Sequence, residues 1–263
     1  MNIPRAAKYF IFSILLFSGT SLPSGTAKEY LKTGDVFFNH FDNWNALKYY
    51  EKAYEADPNS YESISKLTRG YNDLGEELLL QREKTKAEPY INKAVELADT
   101  LLKKFPDSAE SYSYKAMCLG NYALFKGGKE KVKLAIRIEN NAKTALKMDP
   151  KQLLPYIILG MYYREVAGLS WVEKLFANTF FGKLPDGNYD ESIQMFDKAL
   201  EINPDIIITQ YQLSKTYRQL SNEKKEIECL RQVLKLPQSN FRDKYLIKKT
   251  KKRLGTLVSQ NSY

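Results

Sequence analysis

The chain is poor in the residues that build catalytic and metal centres. Its 263 residues include one histidine, His40, and two cysteines. A histidine is the usual base beside a catalytic serine or cysteine, and most metal sites need several His, Cys or carboxylate ligands together. The sequence contains no glycine-rich phosphate loop, no cysteine pair at metal spacing and no nucleophile elbow. We therefore expect no enzyme activity, no cofactor and no metal.

Charge of one sign is also scarce over most of the chain. The net charge is +9, but residues 241–253 hold seven basic residues against one acid, Asp243. The basic character thus belongs to one terminal segment, whereas a nucleic-acid-binding surface typically carries a broad basic stripe. We expect no nucleic acid among the partners.

Long apolar runs are missing except near the amino terminus. There, basic residues precede the apolar run 9–17, and the small residues 24–27 follow it. This order is typical of a cleaved secretory signal peptide, and the run is too short to span a bilayer comfortably. We predict a signal peptide over residues 1–27, a mature protein that begins near Lys28, and export to the periplasm or the extracellular space.

A helical repeat occupies the rest of the sequence. Each copy closes on a proline, and the five prolines are Pro58, Pro106, Pro150, Pro204 and Pro237. Two patterns precede each proline, and in both the small, aromatic and apolar residues recur at steps of three and four, which places them on one helical face. A small residue such as Gly34 lets the partner helix approach closely, and the proline ends the second helix. The pattern resembles the tetratricopeptide repeat, a helix–turn–helix unit of about 34 residues.

This resemblance predicts an all-α fold, a right-handed α-solenoid of about five helix–turn–helix units with a C-terminal capping helix. We expect residues 28–263 to form a single tetratricopeptide-repeat domain. Its units span about 28–60, 61–108, 109–152, 153–206 and 207–239, and the cap spans 240–259. The terminal helix carries apolar residues on one face and lysines on the other, as the cap of a repeat array requires.

The central units are longer than the outer ones. The interval between the two helical patterns is nine residues in the first and fifth units, but 23, 19 and 29 residues in the second, third and fourth. All the extra residues fall between the two helices of a unit. In a solenoid such insertions project from one edge, so we expect three overlong hairpins on a common side.

Two stretches carry a more specific resemblance. Residues 118–146 and 159–192, with Leu169-Ser170-Trp171 and Phe181-Gly182-Lys183-Leu184-Pro185, look like the regulator of microtubule dynamics family. The resemblance covers roughly residues 60–255. It implies the helical-repeat fold; animal members are linked to microtubules, and one member tethers organelles and binds phospholipid through its repeat domain.

Two surfaces are candidates for binding, and they belong to different functional classes. The first is the concave face lined by the first helices, where a protein or peptide partner could meet side chains away from the packing stripe. These are Asn72, Tyr114, Asn121, Arg164 and Arg218. We hypothesise a non-catalytic scaffold that binds through this groove.

The second surface is the insertion 164–191 in the fourth unit, which is rich in large apolar side chains. Its candidate apolar patch is Trp171, Leu175, Phe176, Phe180 and Phe181. Large exposed apolar patches usually mark binding sites, which favours an apolar-ligand or lipid-binding module as the alternative. The other interpretation is that the hairpin folds back on the neighbouring insertions and forms core. The sequence leaves both open and does not identify the partner.

Overall fold

The computed structural model describes residues 25–170, 174–175, 178–180 and 187–260, and every regular element within them is a helix. The helices are α1 (Ala27–Asn39), α2 (Asn43–Ala56), α3 (Tyr61–Leu80), α4 (Lys84–Lys104), α5 (Ala109–Lys126), α6 (Gly128–Met148), α7 (Leu153–Ala167), α8 (Tyr189–Ile202), α9 (Ile207–Gln219), α10 (Glu223–Val233) and α11 (Asp243–Gln260). The predicted all-α fold is confirmed. Residues 1–24, which make up most of the predicted signal peptide, lie outside the described residues.

Polar side chains define where several helices begin. Thr26 and Glu29 form a reciprocal capping box at the start of α1. Asp42 accepts a hydrogen bond from the backbone N–H of Asn45, and Asn222 does the same for Lys225, at the starts of α2 and α10. These side chains satisfy backbone donors that the first helical turn leaves unpaired. A short turn joins α1 to α2, and another joins α9 to α10, so each pair forms a helical hairpin.

Glycines in the first helices allow the second helices to pack closely, as the repeat pattern predicts. A Cβ atom added to Gly34 would lie 2.5 Å from the ring of Tyr50, and one added to Gly160 would lie 2.7 Å from Phe196. Tyr50 and Phe196 are both fully buried. The hydroxyl of Ser192 also donates to the backbone carbonyl of Gly160 at 2.7 Å. Each aromatic ring therefore fills the space that the missing glycine side chain provides.

The insertions of the second and third units extend helices rather than forming loops. Helices α3 and α4 have 20 and 21 residues, compared with 13 and 14 in α1 and α2. The two extended hairpins pack together, because Phe125 joins a core cluster with Leu78 and Ala87. Lys126 Nζ also lies 3.0 Å from Glu88 Oε1. These two insertions therefore share one edge of the array, whereas most of the fourth-unit insertion falls outside the described residues.

Candidate protein-interaction surface

The first helices of successive units form one continuous layer, which we call the inner surface. Helices α1, α3, α5, α7 and α9 contact one another in turn, whereas successive second helices contact each other less in the described part of the chain. A repeat array curves toward the layer whose helices are closest together. The inner surface is therefore the concave side, and α11 packs against its last helix, α9, and against α10.

Three acids on α3 form an acidic cluster at one end of the inner surface: Asp73, Glu76 and Glu77. Neighbouring amides hold these carboxylates in place. Asn43 Nδ2 donates to Glu77 at 2.8 Å, and Asn121 Nδ2 reaches Glu76 at 3.4 Å. Burial raises the pKa of Asp73, although the charge of Arg242 acts in the opposite direction. The cluster is thus a partly buried, organised group of negative charges.

The start of the terminal helix closes on this acidic cluster. Arg242 binds both carboxylate oxygens of Glu76, with Nε–Oε1 at 2.9 Å and a terminal nitrogen to Oε2 at 2.8 Å. The same terminal nitrogen lies 3.2 Å from Asp73 Oδ1. Lys244 lies 3.4 Å from Glu77, and Gln81 donates to the hydroxyl of Tyr245 at 3.1 Å. Although burial acts to lower the pKa of Arg242, the charges of Glu76 and Asp73 raise it above its usual range.

A basic cluster occupies the other end of the inner surface. Its cations are Arg164, Lys215, Arg218 and Lys249. Burial and the neighbouring cations lower the pKa of Lys215 to about 8, while the charge of Glu165 acts in the opposite direction. Glu165 also pairs with Lys131. Cations therefore gather around α9, whereas the acids on α3 are already paired with the terminal segment.

Glu226 on α10 ties the basic cluster to the terminal helix. Its side chain is only 1% exposed, and it accepts from Arg218 at 2.7 Å and from Arg253 at 2.8 and 2.9 Å. Burial would raise the pKa of Glu226, but the hydrogen bonds and charges of both arginines lower it below its usual value. A single buried carboxylate therefore links α9, α10 and α11.

Of the five groove residues proposed from the sequence, three are buried in this structure. Asn72 accepts a hydrogen bond from Asn121 Nδ2 at 3.0 Å, Tyr114 packs in an apolar cluster, and Arg164 donates to the backbone carbonyl of Gln212 at 3.0 Å. Asn121 is partly accessible and Arg218 is exposed. The expectation that all five reach out from an open groove therefore needs correction, because neighbouring helices cover three of them. Their part in binding stays a prediction.

Sequence reasoning missed the residues that dominate this surface. The sequence places Arg242 only in a basic terminal helix and does not distinguish Glu76 from other surface acids. The signal in the sequence is the excess of basic residues in the terminal segment 241–253, which indicates an acidic partner elsewhere in the fold. Its acidic partner lies 166 positions away.

The candidate apolar patch is only partly described. Leu175 and Phe180 are exposed, with 51% and 67% of their surface accessible. Trp171, Phe176 and Phe181 lie outside the described residues. The two described members are therefore on the surface, and the choice between binding site and core remains a prediction for the patch as a whole.

Other features of the described residues bear on function. None of the helices in these residues is both long and apolar enough to cross a membrane. Within the same residues, no group of three His, Cys, Asp or Glu side chains could hold a metal ion. Cys118 and Cys229, which lie in separate units, are free, buried thiols.

The helix pairs, the close glycine contacts and the continuous inner layer define a tetratricopeptide-repeat α-solenoid. TTC0263, a thermophilic tetratricopeptide-repeat protein from Thermus thermophilus, has the same fold. Its solved structure matches with a TM-score of 0.60 at 16% sequence identity and covers 87% of this chain and 98% of that chain. Within this class, the chain belongs to the regulator of microtubule dynamics protein 1-3 family, whose model matches residues 30–258. The resemblance seen in the sequence is thereby confirmed.

Curated relatives place the match within larger proteins. Human regulator of microtubule dynamics protein 2 is 27% identical over 197 residues, which cover 74% of this chain and 47% of that protein. Regulator of microtubule dynamics protein 1 from Bos taurus is 24% identical over 223 residues, covering 83% of this chain and 68% of that protein. The chain spans about half the length of the first of these relatives.

Proposed function

We propose that this chain is a non-catalytic scaffold that binds a protein or peptide partner on its inner surface. The observation that carries the proposal is the continuous layer of first helices with a cluster of cations around α9. Such a surface suits a polar segment of a partner, because complementary charges fix the register and direction of binding. The helical-repeat fold supports this function, since its stacked units present an extended concave surface.

Site-specific photo-crosslinking tests this proposal. A photoreactive amino acid is placed at Asn121 or at Arg218 on the inner surface, and at Gln194 on α8 as the matched control. Gln194 is exposed on a second helix. We expect a crosslinked partner from the two inner positions and little or none from Gln194. Equal yields from all three positions, or a yield from Gln194 alone, would contradict binding on the inner surface.

A lipid or other apolar ligand is the second candidate, and the exposure of Leu175 and Phe180 favours it. In this alternative the insertion 164–191 contacts the ligand. Trp171→Ala combined with Phe180→Ser should then abolish binding to phospholipid vesicles while the melting temperature stays nearly unchanged. If the same pair instead lowers stability by several kcal/mol, these side chains form core, because truncating a buried aromatic costs about that much.

The predicted signal peptide bears on where either function operates. We propose export to the periplasm or the extracellular space, on the strength of the basic, apolar and small segments before residue 28. We do not extend to this chain the role in microtubule dynamics that the relatives' names state, because an exported chain would not meet cytoplasmic microtubules. N-terminal sequencing of the exported protein tests the proposal, and retention of Met1 would count against it.

A further inference from the structure

We propose that Lys215 of α9 and Lys249 of α11 form a site on the inner surface that binds a carboxylate from an acidic segment of a protein partner. The inference rests on the proposed function, because it names the chemical class of the partner and the residues that bind it. A glutamate or aspartate side chain of the partner lies between the two ammonium groups in this arrangement, with Arg164 of α7 beside them.

The first step is that α9 and α11 lie side by side and run in the same direction. Near the starts of the two helices, Ile207 of α9 clusters with Leu246 of α11. Further along both helices, Arg218 of α9 and Arg253 of α11 share the carboxylate of Glu226, with nitrogen–oxygen distances of 2.7 Å for Arg218 and 2.8 and 2.9 Å for Arg253. Two contacts in the same order along both helices define a parallel pair.

The second step is the position of the two lysines on this pair of helices. Lys215 precedes Arg218 by three residues, and Lys249 precedes Arg253 by four, so each lysine lies one turn earlier on the same face of its helix. Beyond the effect of burial, the charges of Arg164 and Lys249 lower the pKa of Lys215, because both cations lie near its ammonium. The two lysines therefore repeat, one turn earlier, the arrangement of the two arginines.

The third step is that the chain supplies a carboxylate to the arginine pair but not to the lysine pair. Glu226 accepts from both Arg218 and Arg253. Lys215 is half-buried, and among the described residues neither it nor Lys249 has a hydrogen bond or an ion pair. An ammonium that loses water without gaining a partner is unfavourable, because burial disfavours its charged form. The contact of Glu226 with the arginines therefore indicates which chemical group fits between the lysines.

The fourth step is the balance of charge around the site. The charged groups that act on Lys215 and its neighbours are the cations Lys131, Arg164, Lys215, Arg218, Lys249 and Arg253 and the acids Glu165, Glu223 and Glu226. Glu165 comes nearest to the site, but it pairs with Lys131, and its other oxygen lies 3.4 Å from Arg164. These six cations exceed the three acids. The excess favours a partner segment with several carboxylates.

The place of the site in the fold favours a peptide over a lipid surface. Lys215 lies on α9, one of the first helices that form the concave inner surface, and is half-buried there. Anionic membranes attract basic residues that lie close to the flat lipid surface. An extended peptide segment can instead follow the concave surface of a repeat array. The carboxylate that this site binds therefore belongs to an acidic peptide segment.

The test measures binding of a fluorescent peptide in which glutamate alternates with serine and both ends are blocked. The wild-type chain should bind this peptide, and it should not bind the matching peptide with glutamine in place of every glutamate. Lys215→Met and Lys249→Ala should each weaken binding about 10-fold, the usual effect of losing one hydrogen bond to a charged group. The control is Lys248→Ala, which removes the adjacent exposed lysine of α11 and should change the affinity less than about 2-fold.

Titration of Lys215 provides a measurement that a purely structural role of this lysine would not change. In the free chain, burial and the neighbouring cations lower its pKa to about 8. A carboxylate beside the ammonium favours the charged form, so saturation with the glutamate peptide should raise the pKa of Lys215 toward its usual value of 10.5. Nuclear magnetic resonance of a chain with isotope-labelled lysine follows the titration, and the signal that disappears in Lys215→Met identifies the residue. An unchanged pKa in the bound chain would overturn the proposal.

Three binding results would also overturn the proposal. These are no binding of the glutamate peptide, equal affinities of the wild-type, Lys215→Met and Lys249→Ala chains, and binding to vesicles that contain phosphatidylserine without binding to the peptide. The outcomes are separable from the proposed function. A crosslinked partner whose yield is unchanged by Lys215→Met and Lys249→Ala keeps the scaffold and rejects the carboxylate site. Peptide binding that depends on both lysines, without any crosslinked partner, keeps the site and counts against the scaffold.

Discussion

The two ends of the repeat array are secured in different ways. At the amino-terminal end, α1 begins at the Thr26–Glu29 capping box, packs on α2 and pairs with the adjacent second unit, where Lys66 Nζ lies 2.7 Å from Asp35 Oδ1. At the carboxyl-terminal end, α11 packs on the fifth unit and also reaches the second unit through Arg242. Contacts with the adjacent unit thus secure one end, whereas the other end also makes ion pairs with a unit that is not its neighbour.

This difference shows that the array is not a simple stack of neighbours. In a plain solenoid each unit contacts only the adjacent ones, and stability is a sum of local terms. Here the terminal segment, which packs on the fifth unit, also contacts the second unit and skips the two units between them. We therefore expect changes at the carboxyl-terminal end to affect the whole array, and changes at the amino-terminal end to stay local.

The largest effect should follow from deletion of residues 240–263. The deletion uncovers Ile207 and Val233, both fully buried, and leaves Glu226 without Arg253. We expect aggregation and a loss of at least about 3 kcal/mol in the free energy of unfolding, since an end unit needs a polar cap. Urea unfolding followed by circular dichroism measures the loss. A soluble, monomeric truncation with unchanged melting would show instead that α11 is a dispensable tail.

A smaller loss should follow from Glu226→Ala. The substitution removes the carboxylate shared by Arg218 and Arg253, whose guanidiniums then lose their acceptors. Because both arginines are partly solvated, we expect a loss of about 2 kcal/mol, below the cost of breaking a fully buried pair. Glu228→Ala, at an exposed position of the same helix, is the control and should stay within about 0.5 kcal/mol. Equal effects of the two substitutions would remove Glu226 as the link between α9, α10 and α11.

Lys215→Met should stabilise the protein at neutral pH. The pKa of Lys215 falls from its usual value of 10.5 to about 8 because the folded chain buries the ammonium among other cations. The unfolded chain therefore binds more protons between pH 8 and 10.5, and the free energy of unfolding rises with pH in that window. The cost of the buried charge is complete below pH 8. Removing it should gain about 1 kcal/mol at pH 7, because the ammonium keeps part of its solvent and the stem keeps its packing.

The pH dependence is the stricter check on Lys215. The gain from Lys215→Met should shrink as the pH rises from 8 toward 10.5, where the wild-type lysine folds without its charge. Thermal unfolding at several pH values measures the trend. Lys248→Met, at an exposed position of α11, is the control and should show no such trend. A gain that stays constant with pH would mean that methionine improves packing alone.

Much of the fold could be predicted because the repeated small and aromatic residues are the ones that pack the two helices of each unit together. Gly34 and Gly160 occupy equivalent positions, and each receives an aromatic ring from its partner helix. The closing prolines mark where second helices end. The extended hairpins also have a sequence signal, since Leu74 and Leu78 continue the helical spacing along α3 and are buried. A length count alone did not distinguish longer helices from projecting loops.

The central contact of the inner surface could not be predicted in the same way. Whether Arg242 meets Glu76 depends on how far the array curves, and curvature is the sum of small rotations between successive units. No sequence pattern near Arg242 or Glu76 indicates the overall curvature of the array. The burial of Tyr114 and Arg164 has a similar origin, because it depends on how closely successive first helices approach each other. Position on a first helix was therefore insufficient to predict exposure.

The smallest effect is expected at the amino-terminal end, where it also tests the predicted processing site. In the capping box, the Thr26 hydroxyl accepts from the N–H of Glu29 at 3.3 Å, and the Glu29 carboxylate accepts from the N–H of Thr26 at 2.7 Å. In a chain that begins at Gly25, Thr26→Ala should cost about 0.5 kcal/mol, the low end for a cap near a fraying terminus. Thr33→Ala, at a half-buried threonine of the same helix whose hydroxyl donates to the carbonyl of Glu29, serves as the control. Cleavage after Ala27 would remove the same cap, so a mature protein that begins at Lys28 should match the Thr26→Ala chain in stability and fray only in the first turn of α1. If either change instead lowers the melting of the whole array as much as Glu226→Ala does, the contrast between a local and a long-range end is wrong.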